Sequence, residues 1–116
     1  MSRIRNLTFS EGEHWIIECT FTDSDGEALD ITGATISWTV ALRPGSVAIF
    51  SATTANGLVT ITSATAGTAE IAVTPAAHSN ATPGNWRHEC RVILSNGEYS
   101  VQFEGRLTVK DSLHVV

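Results

Sequence analysis

Alternation of apolar and polar residues over "ATISWTVAL", residues 34–42, broken only at Ala41, is the feature that most constrains the fold. One face of an extended segment here carries its largest apolar side chains: Ala34, Ile36, Trp38, Val40 and Leu42. The segment "HWIIECTFT" repeats the pattern with another such set: Trp15, Ile17, Cys19 and Phe21. A period of two residues is typical of a strand with one buried face, so both segments are predicted to be strands.

Turn residues divide the rest of the chain at short intervals. Asp25–Gly26, Asn56–Gly57 and Asn96–Gly97 are pairs favoured in hairpin turns, and Pro83 and Gly84 open a late strand. This spacing predicts about seven to eight strands in an all-β, Ig-like antiparallel β-sandwich, which needs about 100 residues. We therefore expect one domain over residues 1–116, with loose termini at 1–6 and 110–116.

Charge and hydropathy exclude two classes of partner. The net charge is −5, and the seven Lys and Arg residues are scattered along the chain, whereas binders of nucleic acid or anionic membranes gather positive charge on one face. No apolar stretch approaches the roughly 20 residues of a membrane helix, and the first residues lack the apolar core of a signal peptide. We expect no nucleic-acid partner, no membrane partner and synthesis without a signal peptide.

The segment "NWRHEC", residues 85–90, places Trp86, His88 and Cys90 two residues apart. Such a trio is either the beginning of a metal or thiol site or one face of a strand. In an extended chain these three side chains point inward, while the alternate ones point outward: Arg87, Glu89 and Arg91. We interpret the trio as core and the outward set as a candidate contact surface.

The two cysteines lie on predicted inward faces of an early and a late strand. With Trp38 between them, Cys19 and Cys90 follow the order of the inter-sheet cysteine pair and packing tryptophan of Ig domains. The pair is either a disulfide or two buried thiols, and the absence of an export signal favours thiols. The predicted core anchors are the three tryptophans: Trp15, Trp38 and Trp86.

Catalytic and metal-binding patterns are missing from the sequence. There is no CxxC or HxxxH spacing, no Gly-rich phosphate loop and no GxSxG motif. The acidic run "DSDGEALD" offers oxygen ligands for calcium, but an Asp-Gly turn explains it without an ion. We predict no enzymatic activity, no cofactor and no metal.

Four turn and core motifs together resemble a known family. They are the "DSDG" turn at residues 23–26, "DITGA" at 30–34 before Trp38, "PGNW" at 83–86, and Gly105, Leu107 and Val109 near the end. From about Leu7 to Val109 the chain is similar to the Ig-like domain of bacteriophage virion proteins, notably the N-terminal domain of phage baseplate upper proteins.

The resemblance implies a non-enzymatic structural or assembly component of a phage or prophage particle, in its tail, baseplate, neck or head decoration. Its expected partners are other virion proteins and further copies of itself, and its expected location is the virion after synthesis in the bacterial cytoplasm. The alternative is a carbohydrate-binding or host-adhesion module on the same fold. That alternative requires exposed aromatic side chains, for which Tyr99 is the candidate.

Overall fold

The computed structural model describes residues 3–43 and 45–111, and every regular element in those ranges is a strand. The strands are β1 (Arg3–Ile4), β2 (Leu7–Ser10), β3 (Trp15–Thr20), β4 (Thr35–Ala41), β5 (Ala48–Thr53), β6 (Val59–Ser63), β7 (Thr68–Val73), β8 (Gly84–Ile93) and β9 (Tyr99–Lys110). The predicted all-β class is confirmed. The described residues form nine strands rather than seven or eight.

The strands form two sheets that pack face to face. The larger sheet has six strands in the order β1-β9-β8-β4-β5, with β2 also paired to β9, and the smaller has the order β3-β7-β6. In the lettering of Ig domains, β3, β7 and β6 correspond to strands B, E and D, and β9, β8, β4 and β5 correspond to strands G, F, C and C′. Side chains from both sheets meet in one buried cluster that includes Ile17, Ile71 and Val92. The Ig-type β-sandwich predicted from the turn spacing is therefore confirmed.

The N-terminal segment is not the loose end that was predicted for residues 1–6. Strand β1 pairs in parallel with β9, and the Arg5 amide donates to the Glu104 carbonyl at 2.8 Å. The pairing satisfies backbone groups along the edge of β9 that would otherwise be unpaired. At the other end Lys110 is the last residue of β9, so it is not loose either. Residues 1–2 and 112–116 lie outside the described residues.

Gly105 allows the N-terminal segment to approach β9 closely. A Cβ atom at this position would lie 2.5 Å from the Arg5 carbonyl oxygen and 2.8 Å from Asn6 Oδ1. That same Asn6 oxygen accepts a hydrogen bond from the Arg106 amide at 3.0 Å. The glycine therefore makes room for the junction between β1 and β2.

Replacing Gly105 with alanine is expected to loosen this junction. The added methyl group must displace residues 5–6, at a cost of about 1 to 3 kcal/mol in the free energy of unfolding. Urea unfolding measures that cost, and hydrogen exchange should show faster exchange of the Arg5 amide than in the wild-type protein. Unchanged stability together with unchanged exchange at Arg5 would contradict the close approach.

A β-bulge in β9 places a polar side chain inside the sandwich. Cys90 pairs with Phe103 and Arg91 with Val101, so Gln102 is an extra residue in the ladder. Gln102 is only 6% exposed. Its side-chain Nε2 donates to the Thr22 carbonyl, and its Oε1 accepts from the Thr22 backbone amide, both at 3.2 Å. Gln102 thus satisfies backbone groups just beyond the end of β3.

The three tryptophans differ in their burial. Trp15 and Trp38 are fully buried, as predicted for core anchors. Trp86 is only half-buried: it packs against the core, and its indole N–H donates to the Thr82 carbonyl at 2.8 Å. Because Trp86 lies near the beginning of β8, it covers one end of the sandwich rather than its centre, which corrects the prediction.

Candidate interaction surface on the larger sheet

Two members of the predicted inward trio belong to the core, whereas Trp86 is half-buried. His88 is 3% exposed and Cys90 is fully buried. The Trp38 indole N–H donates to His88 Nδ1 at 3.1 Å, and His88 Nε2 lies 2.6 Å from the Arg5 carbonyl oxygen. Since Nδ1 accepts, Nε2 carries the proton and donates to that oxygen. His88 borders a groove on the outside of the sheet, but its ring is committed to these two inward contacts.

The charge state of His88 follows from this packing. Burial lowers the pKa of its imidazole, and the nearby charges of Arg5 and Arg87 lower it further. The hydrogen bond to the Arg5 carbonyl and the charge of Glu104 act in the opposite direction without reversing the shift. A neutral His88 therefore links β8 to β4 and to the N-terminal segment.

The two cysteines are free thiols in the centre of the sandwich. Cys19 on β3 is 3% exposed, and Cys90 lies across from it on β8. The side-chain hydrogen bond with Cys19 and burial raise the pKa of Cys90, while the same hydrogen bond lowers the pKa of Cys19. Both sulfur atoms are shielded from solvent, so the two cysteines pack as small core side chains.

Thiol titration distinguishes the free pair from a disulfide. In the native protein we expect almost no reaction with Ellman's reagent, because both sulfur atoms are shielded from solvent. In denaturant without reductant both free thiols should react. An absence of reactive thiols in denaturant would show that Cys19 and Cys90 are bonded in the purified protein.

The predicted outward residues lie on the side of the larger sheet that points away from the core, and we call this side the outer face. On this face Arg87 of β8 stands directly opposite Arg106 of β9, and two residues further on Glu89 stands opposite Glu104. We call these pairs the arginine row and the glutamate row. Arg91 follows on β8 and forms an ion pair with Glu89 at 3.0 Å.

A groove runs along the outer face beside these rows. Its volume is about 280 Å³, close to the lower end of the range for ligand pockets. The small side chains of Ser37, Thr39 and Ala41 on β4 form its floor, and the β4–β5 turn with Arg43 forms a wall. The groove exists because β4 carries short side chains where β8 and β9 carry long charged ones.

Exposed apolar side chains gather on or beside the same face. Tyr99 is 66% exposed and faces Ile93 across the β8–β9 pair, while Ile4 is 72% exposed and pairs with Glu104. Leu42 and Val47 are exposed in the turn that walls the groove. Leu42 was predicted to point inward, but β4 ends at Ala41, where the paired strand β5 has a bulge at Ile49, so the alternation does not continue to Leu42. The one other large exposed apolar residue among the described ranges is Ile16, on the smaller sheet.

The acidic run folds into turns. Asp23 Oδ1 accepts hydrogen bonds from the amides of Asp25 and Glu27, at 2.9 and 3.0 Å. Asp30 accepts from the amide and hydroxyl of Thr32, and these bonds lower the pKa of its carboxyl group. Within residues 3–43 and 45–111, no three His, Cys, Asp or Glu side chains are grouped to hold a metal ion. The same residues form no helix long and apolar enough to cross a membrane.

No protein-family model matches the chain. Comparison with curated proteins gives no significant match either. The structure thus defines an all-β protein of the Ig-type sandwich class whose most distinctive exposed feature is the outer face.

Proposed function

We propose that this domain is a non-enzymatic structural or assembly component of a phage or prophage particle that acts through protein–protein contacts made by the outer face. Two lines of support are independent. The turn and core motifs from Leu7 to Val109 resemble those of phage virion Ig-like domains. The outer face is a surface suited to protein–protein contact rather than to catalysis.

The observation that carries the proposal is the concentration of contact features on one side of the molecule. The outer face and its adjoining turn hold five of the six large exposed apolar side chains of the described residues. The groove and the two charged rows lie on the same side. Apolar residues interspersed with arginines are typical of the residues that anchor protein interfaces.

The inward side chains support the same conclusion. The histidine and cysteines that offered the strongest enzymatic alternative are hydrogen-bonded inside the sandwich, where a substrate cannot reach them. Fold alone does not determine function, so the assignment depends on the outer face and on the motif resemblance together.

Particle association tests the proposal directly. An epitope-tagged full chain would be produced in the strain that carries its gene, and particles would be separated on a caesium chloride density gradient. We expect the tagged chain in the particle band at a constant ratio to the other particle proteins. A chain that remains entirely in the soluble fractions, while intact particles band normally, would overturn the proposal.

One observation favours a carbohydrate-binding or host-adhesion role as the second candidate. Tyr99 is largely exposed, as sugar stacking requires, although the Arg91 guanidinium lies 5.2 Å from its ring centroid and covers one side. Trp15 and Trp38 are buried and offer no stacking surface. A glycan array probed with wild-type protein and with Tyr99→Ala would support this role only if binding is present and lost in the variant.

A further inference from the structure

The arginines of the outer face differ in how they are paired. The Glu89 carboxylate is directed at Arg91, with which it forms the ion pair at 3.0 Å, rather than at Arg87 two residues earlier on the same strand. On the neighbouring strands Arg87 stands between Ala41 of β4 and Arg106 of β9, and neither residue carries a negative charge. Arg87 is therefore a half-buried arginine whose directly paired neighbours supply no counter-charge.

The turn between β4 and β5 adds another arginine beside Arg87. Arg43 lines the groove from this turn, while Arg87 lines it from β8. Within residues 3–43 and 45–111, the side chains of Arg43, Arg87 and Arg106 make no hydrogen bond, ion pair or ring contact. We call these three residues the cationic cluster. Positive charges gathered on one surface raise the local potential and attract an anion.

The fold assembles the cationic cluster from parts of the chain that are far apart in sequence. Its members come from the β4–β5 turn, from β8 and from β9, and the register of these strands brings them to one side of the molecule. The whole chain has a net charge of −5, so the cluster differs in sign from the molecule as a whole. A positive patch on an acidic protein orients an approaching acidic partner and repels it elsewhere.

The groove gives the cationic cluster the shape of a binding site. Its floor consists of short side chains on β4, and two of them, Ser37 and Thr39, carry hydroxyl groups. A volume of about 280 Å³ accommodates a few side chains of a partner. Arginine is well suited to hold a carboxylate at such a place, because its planar guanidinium forms two parallel hydrogen bonds with the two oxygen atoms.

The surroundings of the cluster favour a polypeptide as the ligand. Leu42 and Val47 are exposed in the same turn as Arg43, so a carboxylate held there would have apolar side chains beside it. The carboxylates of Glu89 and Glu104 border the next part of the groove. A nucleic acid, with a phosphate at every step, would bring further negative charge toward them. An acidic residue flanked by apolar ones meets both conditions.

We propose that the groove binds an acidic segment of a partner protein, in which an aspartate or glutamate contacts the cationic cluster and adjacent apolar residues contact Leu42 and Val47. This inference rests on the proposed function, because it names the chemistry of the partner that the outer face contacts.

Selection from a peptide library tests the chemistry of the ligand. The purified full chain would be used to select binders from a random nonapeptide library displayed on yeast. We expect the selected peptides to be enriched, relative to the unselected library, in aspartate or glutamate next to an apolar residue. A selected pool without this enrichment would overturn the proposal.

Substitutions in the cationic cluster test where the selected peptides bind. Arg43→Gln with Arg87→Gln should weaken their binding at least about 10-fold in low salt, as measured by fluorescence anisotropy. The matched control, Thr60→Glu with Thr65→Glu, makes the same change in net charge at exposed positions of β6 and the turn after it. The control should bind like the wild type. Wild-type affinity in the cluster variant, or equal losses in both variants, would overturn the proposal.

Wild-type protein provides a test that does not depend on how the variants fold. Raising sodium chloride from 50 mM to 500 mM should weaken peptide binding at least about 10-fold, because salt screens exposed charges. Affinity that does not change with salt would contradict the proposal. Single-stranded oligothymidylate and inorganic phosphate are the competing probes, and tighter binding of either one with displacement of the peptides would assign the cluster to phosphate groups instead.

The outcomes separate this inference from the particle role. Particle association of the tagged chain without selective binding of acidic peptides would refute only this inference. Binding of acidic peptides at the cationic cluster without particle association would refute only the particle role.

Discussion

Replacing Gly67 with alanine is expected to lower the free energy of unfolding by about 3 kcal/mol or more. Gly67 has φ +72°, in the left-handed region that residues with a Cβ atom avoid. The new Cβ atom would also lie 2.5 Å from the Leu29 carbonyl oxygen and 2.8 Å from that of Phe21. Both neighbours are backbone atoms in hydrogen-bonded segments, so they cannot move aside cheaply.

A variant at Gly57 distinguishes the cost of the left-handed backbone conformation from the cost of the steric clash at Gly67. Gly57 has φ +83° but no atom within 4 Å of an added Cβ, so Gly57→Ala should cost only the backbone term, about 1 kcal/mol. Urea unfolding of the two variants measures the difference. Equal losses of stability would show that the turn at Gly67 does not pack against residues 21–29 as described.

Replacing His88 with leucine is expected to cost about 2 to 5 kcal/mol in the free energy of unfolding. Leucine occupies similar space but leaves the Trp38 indole N–H and the Arg5 carbonyl oxygen without partners. Each unsatisfied buried group contributes part of the loss. The exposed His14 provides the control, and His14→Leu should leave stability nearly unchanged.

The same histidine should make stability depend on pH. Since the pKa of His88 in the folded protein lies below its ordinary value of 6.5, the unfolded chain binds the proton more readily. The stabilising contribution of neutral His88 is therefore complete above pH 6.5 and is lost as pH falls toward and through the lowered folded pKa. Thermal unfolding across this range should show a loss in the wild type that is smaller in His88→Leu. Identical pH profiles would contradict a buried, neutral His88.

Local alternation was sufficient to predict the core strands. In β3, β4 and β8 the inward residues are those that a period of two indicates, because each strand has one face on the core and one outside. The prediction failed where alternation ended. Strand β4 stops at Ala41, where its partner β5 bulges, and Trp86 lies too near the beginning of β8 to be enclosed.

Features that depend on distant pairing could not be predicted in the same way. The N-terminal strands form only because β9 offers them an edge, and nothing local in residues 3–6 indicates that partner. The outward residues Arg87, Glu89 and Arg91 were predicted as a contact surface. Their grouping with Arg106 and Glu104 depends on the register of β8 and β9, which includes a bulge at Gln102.

We propose that the outer face, and no buried reactive group, carries the function. The most direct measurement is the particle association of an outer-face variant, Arg87→Ala with Glu89→Ala, against a control on the smaller sheet, Glu18→Ala with Glu70→Ala. With both variants folded by circular dichroism, we expect at least a tenfold loss of the outer-face variant from the particle band and wild-type levels of the control. Wild-type incorporation of the outer-face variant alongside loss of the control would contradict it.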